Sequence, residues 1–238
     1  MRERTYTIDD IEILFVKSKK AKGVNITIRP FKGVRVAVPY YVTFKAAVRI
    51  VNNRMSWVYK NLNKIQVAEN KQTVFDSNSK FKTRQHSLSI IQNASVAIGY
   101  KITNNEIIVF VPETINVQSE LVQLEIRKAI ECAWRKEAKE TLPIRVAALA
   151  EAYGFSLQKV TIKNTKTRWG SCSYKNNINL CLHLMRLPDY LVDYVILHEL
   201  VHTKVKNHSQ QFWAMLHEIS PMSKEYDKEL KNHRIGIY

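Results

Sequence analysis

The sequence predicts an α+β fold in two regions. Apolar residues alternate with polar ones at period two through much of the first half, and they recur at spacings of three and four in the second half. Hydrophobic residues make up 45% of the 238 residues, which is typical of a folded globular protein. We therefore predict a basic, β-rich region with one long helix over residues 1–114, followed by a mainly helical region with a small sheet over residues 115–238.

The first region opens with four predicted strands, at residues 5–8, 11–16, 24–29 and 34–38. Asp9 and Asp10 are turn-forming residues between the first pair of strands, and Gly33 closes a turn between the second pair. Thr43 can cap a helix that is predicted to run to about Ala68. A polar segment follows, and then three more strands are predicted at residues 85–92, 95–103 and 106–112, giving a mostly antiparallel region.

The second region begins with a predicted helix near Val117, which Pro143 interrupts. A further helix is predicted over residues 143–152, ended by Gly154. Short strands at residues 160–163 and 178–182 flank a predicted loop at residues 165–173, which contains Arg168 and Trp169. Pro188 suits the first turn of the next helix, where Asp189 complements the helix dipole.

Composition excludes several classes of protein. The three cysteines include no Cys-x-x-Cys pair, which indicates reduced thiols, and we favour apolar packing over metal binding for Cys172 and Cys181. No apolar run approaches the roughly 20 residues that span a bilayer. The first residues lack the apolar core of a signal peptide. We therefore expect a cytoplasmic protein that makes no membrane contact.

The net charge of +16 is concentrated in the first region. Residues 1–114 contain 19 Lys and Arg against 8 Asp and Glu, whereas residues 115–238 contain 18 against 13. A basic region of this size attracts polyanions such as nucleic acid or nucleotides, although solubility explains the same charge equally well. Only six glycines are present, and none forms a phosphate-binding loop of the Walker or dinucleotide type.

One motif organises the second region. His198, Glu199 and His202 form a His-Glu-x-x-His sequence inside an apolar run. Histidines at i and i+4 lie about 40° apart around a helix and about 6 Å apart along it, so both rings can reach one metal ion. Glu199 lies about 100° around from His198, where it can reach a metal-bound water. The apolar neighbours predict a buried helix, in which a metal would give these polar groups partners.

His208 is the predicted third ligand. It lies ten residues beyond His198, about 15 Å along a straight helix, so the helix must end just after His202 and the chain must fold back. Val205 resists a positive φ, which leaves Asn207 to form a left-handed turn or a cap. The next helix is predicted to start near His208 or Ser209, with its apolar face towards the core: Phe212, Trp213, Leu216 and Ile219.

The other histidines are predicted to be surface or core residues: His86, His183, His217 and His233. Three imidazoles without a carboxylate ligand favour zinc over magnesium. Catalytic zinc sites use three protein ligands and leave one position open for water.

Four segments in order resemble the YgjP-type zinc metallopeptidase family, which is related to the WLM and SprT-like peptidases: Thr167–Cys172, Ile178–Leu180, Tyr194–His202 and His208–Trp213. The resemblance implies Zn²⁺ bound by His198, His202 and His208, with Glu199 as the catalytic residue. It also implies a minimal zincin-like domain in which the edge strand of a small sheet lies beside the cleft.

These observations favour a zinc-dependent peptidase in which Glu199 activates a zinc-bound water. A peptide or protein substrate would lie extended along the edge strand. Arg168 is a candidate substrate-binding residue, with a structural salt bridge as the equal alternative. Three other functions stay open: a metal-dependent nucleoside triphosphate pyrophosphatase, a protease recruited by nucleic acid through the basic region, and a binding module with a structural metal.

Overall fold

The computed structural model describes residues 2–29, 32–69, 73–233 and 235. Within them the chain is α+β, as predicted, with strand-rich segments first and helices concentrated later. The first compact unit ends at Thr73, and the second covers Val74–Ile235. The division between the units therefore lies about forty residues before the predicted boundary at residue 114.

The first unit contains a four-stranded sheet of β1 (Glu3–Ile8), β2 (Ile11–Lys17), β3 (Asn25–Arg29) and β4 (Gly33–Val38). The strand order is β1-β2-β4-β3. The β1–β2 and β3–β4 hairpins are antiparallel, as predicted, but β2 and β4 pair in parallel. Asp9 and Asp10 form the first turn with φ values of 46° and 64°.

Two helices follow this sheet where one long helix was predicted: α1 (Phe44–Asn52) and α2 (Met55–Glu69). The predicted cap is confirmed, because Thr43 Oγ1 accepts a hydrogen bond from the Ala46 N–H at 3.2 Å. The single-helix prediction was wrong because the chain turns at Asn53, where the Arg54 N–H donates to the Val51 carbonyl at 2.8 Å. Apolar side chains on both sides of this break are buried in the core of the first unit, including Val51 and Val58.

The second unit begins with β5 (Ser87–Asn93), β6 (Gly99–Ile102) and β7 (Glu106–Pro112), in the order β5-β7-β6. The β5–β7 pair is parallel and the β6–β7 pair is antiparallel. Specific hydrogen bonds tie the segment before β5 to the long helix α3 (Glu120–Ala152). Gln123 of α3 accepts from the Phe75 N–H at 2.9 Å and donates to the Phe75 carbonyl at 2.7 Å. These bonds explain why residues 74–114 belong with the second unit, contrary to the prediction.

Helix α3 continues through Pro143, so the two helices predicted here are one. Proline removes one main-chain hydrogen bond, but Leu142 and Val146 on either side are almost fully buried and hold the helix in place. The helix ends at Gly154, which has φ of 65°. The Phe155 N–H then donates to the Ala150 carbonyl at 2.8 Å, which completes a glycine C-cap of the predicted kind.

A third sheet leads into the last helices. It contains β8 (Lys159–Lys163), β9 (Gly170–Cys172) and β10 (Asn177–Cys181) in the order β8-β10-β9. Strand β9 lies in the segment predicted to be a loop. A 3-10 helix (Leu182–Arg186) follows, and then α4 (Asp189–Lys204), α5 (Gln210–Ile219) and α6 (Ser223–Leu230). No helix of the described residues is long and apolar enough to cross a bilayer.

Arginine contacts fix the start of α4. The Arg84 guanidinium donates to the Met185 carbonyl at 3.1 Å, to the Leu187 carbonyl at 2.6 Å and to Asp189. The hydrogen bond from Arg84 lowers the pKa of Asp189, and burial opposes this effect. Arg145 of α3 pairs with Asp193 one turn further along α4. The N-terminal half of α4 is therefore held on two sides by cations.

We expect loss of the buried acceptor Glu137 to destabilise the second unit. Glu137 Oε1 contacts the Thr83 hydroxyl, the Gln85 N–H at 3.1 Å and His86 Nδ1 at 2.7 Å, and neither His86 nor Glu137 exposes its side chain. Glu137→Ala leaves these donors without an acceptor and should cost about 3–5 kcal/mol of unfolding free energy. Urea unfolding followed by tryptophan fluorescence measures it. Glu140→Ala, an exposed position on the same helix, should change stability by less than about 0.5 kcal/mol, and equal losses in both variants would contradict the role of Glu137.

Candidate active site

Helix α4 is buried on nearly every side, as its apolar sequence predicted. Apolar side chains around it are almost inaccessible to solvent: Leu191, Val192, Val195, Ile196, Leu197, Leu200 and Val201. His198 and His202 lie one turn apart in the C-terminal half of the helix, and Glu199 lies beside them and is only 6% exposed. Packing of the whole helix therefore fixes where these polar side chains point.

Three imidazole rings meet at the end of this helix. His198 Nε2 lies 3.1 Å from His208 Nε2, and His202 Nε2 lies 3.2 Å from the same atom. One ligand atom from each ring lies within 4.8 Å of the other two. The structure thus brings together the three histidines that the sequence selected.

The chain reverses direction at Val205, so that His208 lies against His198 and His202. Its N–H donates to the Val201 carbonyl at 2.9 Å and ends α4, and its φ of −122° and ψ of 107° are extended. Asn207 was predicted to form a left-handed turn or a cap, and it forms neither: no residue from Thr203 to Ser209 has a positive φ, and the cap of α5 is Ser209. Ser209 occupies the N-cap position of α5, so His208 lies just before that helix rather than in its first turn.

Val205 also orients one of the rings. Its carbonyl lies 3.0 Å from His202 Nδ1, which can donate a proton there. A proton on Nδ1 leaves the lone pair on Nε2 free to face the other two rings. This is the arrangement that metal-binding histidines adopt, with one nitrogen held by a carbonyl and the other directed to the ion.

Phe212 packs against all three imidazoles from α5. Its ring centroid lies 4.8 Å from that of His198, 4.5 Å from that of His202 and 4.8 Å from that of His208. Phe212 is fully buried, whereas Trp213 at the next position is 39% exposed and flanks His198 and His208. Phe212 thus packs against three of the rings and Trp213 against two of them, which limits the space in which the rings can rotate.

The environment favours the neutral form of two of the rings, His198 and His202. Burial, followed by the neighbouring His202 and His208, lowers the pKa of His198 to about 4, while the Asp227 carboxylate of α6 acts in the opposite direction. Burial also lowers the pKa of His202, with the hydrogen bond to Val205 opposing the shift. Neutral imidazole is the form that binds metals, so these shifts favour ligation at physiological pH.

Glu199 lies against strand β9. A Cβ atom added to Gly170 would lie 2.6 Å from Glu199 Oε1 and 2.7 Å from its Cγ, so only glycine allows the two elements to approach this closely. Burial raises the pKa of Glu199 to about 7, while the charge of Arg168 and the hydrogen bond from the Cys172 N–H lower it. Glu199 Oε2 is buried and has no hydrogen-bond partner among the described residues.

Strand β9 lies at the edge of its sheet. The Ser173 N–H donates to the Asn177 carbonyl at 2.9 Å, and the Cys181 N–H donates to the Trp169 carbonyl at 2.8 Å. Because hydrogen bonding alternates along an antiparallel pair, the polar main-chain groups of Gly170 and Cys172 point away from β10. Of these groups, the Cys172 N–H donates to Glu199.

The structure also places the other residues that the sequence singled out. Arg168 is exposed and acts on Glu199 through its charge, and Trp169 is half-buried. Cys181 is buried with its thiol 3.2 Å from the Thr165 carbonyl, and Cys172 is half-buried. Neither thiol belongs to the histidine cluster.

His183 is buried beside Asn164, Lys166 and Trp134, and burial lowers its pKa to about 3.

Sequence reasoning missed the roles of Gly170, Val205 and Phe212. Gly170 lies inside a segment that was treated as a loop, and only the three-dimensional contact with Glu199 shows why it must be glycine. Phe212 was assigned to the core, which is correct, but its contact with three imidazoles was not predicted. Its position four residues after His208 was a usable signal, because the helix was predicted to start near His208 and residues at this spacing on a helix are neighbours.

The donors present fit a single zinc ion. Three Nε2 atoms converge, one ring is held by a backbone carbonyl, and burial favours the neutral form of His198 and His202. The buried, unpartnered Oε2 of Glu199 lies next to the cluster without belonging to it. Three nitrogen donors with an adjacent carboxylate are typical of catalytic rather than structural zinc sites.

Comparison with known proteins identifies a family. The YgjP-like metallopeptidase domain matches residues 22–233. Among solved structures, the metallopeptidase zymogen abylysin of Pyrococcus abyssi is 24% identical, with a TM-score of 0.34, covering 37% of this chain and 89% of its own. The metallopeptidase zymogen jannalysin of Methanocaldococcus jannaschii is 23% identical, with a TM-score of 0.33, covering 37% of this chain and 90% of its own. No curated protein matches significantly. Because the family match extends over most of the sequence, the chain belongs to the YgjP-like metallopeptidase domain family.

Proposed function

We propose that this enzyme, a metal-dependent peptidase by its family, hydrolyses peptide bonds with zinc held by His198, His202 and His208. One observation carries the proposal: three Nε2 atoms converge beside a buried carboxylate oxygen that has no partner among the described residues. The nitrogen donors favour zinc over magnesium or calcium, which prefer oxygen ligands. A zinc ion in such a site lowers the pKa of water bound to it to about 7 and polarises a carbonyl group.

Glu199 acts as the general base and then as the general acid. Its Oε2 accepts a proton from the attacking water and then returns it to the nitrogen of the leaving amine. Burial raises the pKa of Glu199 above that of an ordinary carboxyl group, which makes it a better proton acceptor. The close contact with Gly170 holds the carboxylate in place.

The position of β9 at the edge of its sheet supports substrate binding. The main-chain groups of Gly170 and the Cys172 carbonyl can pair with an extended peptide, as an added strand pairs with a sheet edge, whereas the Cys172 N–H already donates to Glu199. Such pairing would place a peptide bond beside Glu199, which lies against the same strand. Arg168 is exposed and close enough to act on Glu199 by its charge, so it is our candidate for contacting the substrate carbonyl or an anionic substrate group.

Hydrolysis of nucleoside triphosphates is the principal alternative for the same metal. The donor set argues against it, because magnesium is the usual partner of phosphates and the cluster contains no carboxylate. One zinc-loaded preparation tested on casein and on nucleoside triphosphates separates the two reactions.

Replacing Glu199 should separate metal binding from catalysis. In Glu199→Gln the three imidazoles are untouched, so zinc content should stay at one ion per chain. Loss of the proton acceptor should reduce casein cleavage by about 10²-fold or more. Elemental analysis and a fluorescent casein assay on the same sample provide both measurements.

The histidine variants supply the controls for that experiment. His208→Ala should lose zinc and activity together, whereas His217→Ala, an exposed position on α5, should retain both. Normal turnover by Glu199→Gln would refute its catalytic role. Full zinc content in His208→Ala would refute the proposed ligand set.

Gly170→Ala should impair catalysis without removing the metal. The added methyl group occupies the position of the Glu199 carboxylate, so Glu199 or β9 must shift. A displacement near 1 Å in a catalytic group can reduce the rate by about 10²-fold. Gly99→Ala is the matched control, because its Cβ meets no atom within 4 Å. Equal cleavage rates in the two variants would show that the close approach to Glu199 does not matter.

A further inference from the structure

The acidic residues of the first unit cluster at one end of its sheet. Up to residue 73 the sequence contains 15 Lys and Arg against 5 Asp and Glu. Asp9 and Asp10 form the β1–β2 turn, and Glu12 lies at the start of β2 beside it. Three of the five acidic residues therefore lie at one end of the sheet.

Strand pairing brings several basic segments together at the opposite end. Lys17 at the end of β2 pairs with Val38 at the end of β4, and the Lys17 N–H donates to the Arg2 carbonyl at 2.8 Å. Asn25 at the start of β3 pairs with Ala37. Residues 18–24 and 39–43 consequently leave the sheet at the same end.

These segments carry exposed cations and exposed tyrosines. We call the following set the basic end: Arg2, Lys19, Lys20, Lys22, Tyr40, Tyr41 and Lys45. Tyr40 is 51% exposed and Tyr41 is 77% exposed. Within the described residues no carboxylate forms an ion pair with any of its five cations. Among the described strand residues at this end of the sheet, Glu3 is the one acidic residue.

Hydrogen bonds hold the segments of the basic end in fixed positions. The Tyr41 hydroxyl donates to the Lys22 carbonyl at 2.7 Å and joins the two segments. Lys17 Nζ donates to the carbonyls of Pro39, at 3.1 Å, and Val42, which fixes residues 39–43. Helix α1 also begins here with Thr43 as its cap and no acidic residue in its first turn, which adds a partial positive charge.

We propose that the basic end binds single-stranded nucleic acid, with its cations on phosphates and its tyrosines stacked on bases. Clustered Lys and Arg supply affinity for the phosphate backbone, and exposed aromatic rings stack on unpaired bases of any sequence. An anionic membrane fits less well, because residues 18–24 and 39–43 expose no large aliphatic side chain to enter the lipid. The proposal is independent of the peptidase chemistry of the second unit.

A charge-matched pair of variants of the full chain tests the location. One variant combines Lys19→Gln, Lys20→Gln and Lys22→Gln at the basic end. Its control combines Arg29→Gln, Lys32→Gln and Lys60→Gln, which are exposed and lie near the acidic end: Arg29 pairs with Gly33, and Tyr59 beside Lys60 donates to the Asp9 carbonyl. Both variants lose three positive charges, so non-specific electrostatics affects them equally.

The measurement is fluorescence anisotropy of a labelled single strand of about 16 nucleotides, titrated over a range of salt concentrations. Each lost phosphate contact on a single strand reduces the salt slope of log K by about 0.7, so the basic-end variant should lose about 2 in slope and at least about tenfold in affinity. The control should keep the wild-type slope. Tyr40→Ala should weaken binding about fivefold, and Tyr40→Phe, which keeps a ring for stacking, should not.

Three results would overturn the proposal. Equal weakening in both charge variants would mean that net charge, not this surface, attracts the strand. Binding to phosphatidylserine vesicles without binding to the strand would identify the basic end as a membrane surface. Absence of strand binding by the wild-type chain at about 50 mM salt, where electrostatic contacts are strong, would leave no nucleic-acid function.

Discussion

The active-site geometry depends on the backbone at Val205. One hydrogen bond of this residue ends α4, and another holds the Nδ1 side of the His202 ring. Its extended conformation starts the reversal that returns His208 to the two histidines of the helix. If α4 continued one more turn, His208 would move away and His202 would lose its carbonyl partner. Helix termination and orientation of the imidazole are thus produced by the same residue.

The sequence was sufficient to select the site but not to explain its construction. His-Glu-x-x-His in an apolar run, followed by a third histidine, predicted three side chains that the structure places together. It did not predict that Val205 would turn the chain without a positive φ, or that Gly170 would have to be glycine. Both features depend on which atoms meet in space, because Gly170 and Glu199 are 29 residues apart in the sequence.

The fold, too, could be predicted from the sequence only in part. Strand positions followed from alternation, yet periodicity carries no information about partners, and the parallel β2–β4 and β5–β7 pairs were not foreseen. Residues 74–114 were grouped with the first region because they are β-rich, whereas Gln123 and Glu137 of α3 bind the main chain of that segment. Pro143 signalled a break in α3, but burial of its neighbours outweighs one missing hydrogen bond. Tertiary contacts decided each of these cases.

The central claim is that three imidazoles share one zinc ion, and anomalous diffraction from crystals of the zinc-loaded protein tests it most directly. Our proposal predicts a single peak at the zinc absorption edge, about 2.0–2.1 Å from Nε2 of His198, His202 and His208. Glu199 should lie beside that peak but outside bonding distance of it. A peak elsewhere in the chain, or His208 turned away from the other two rings, would contradict the claim.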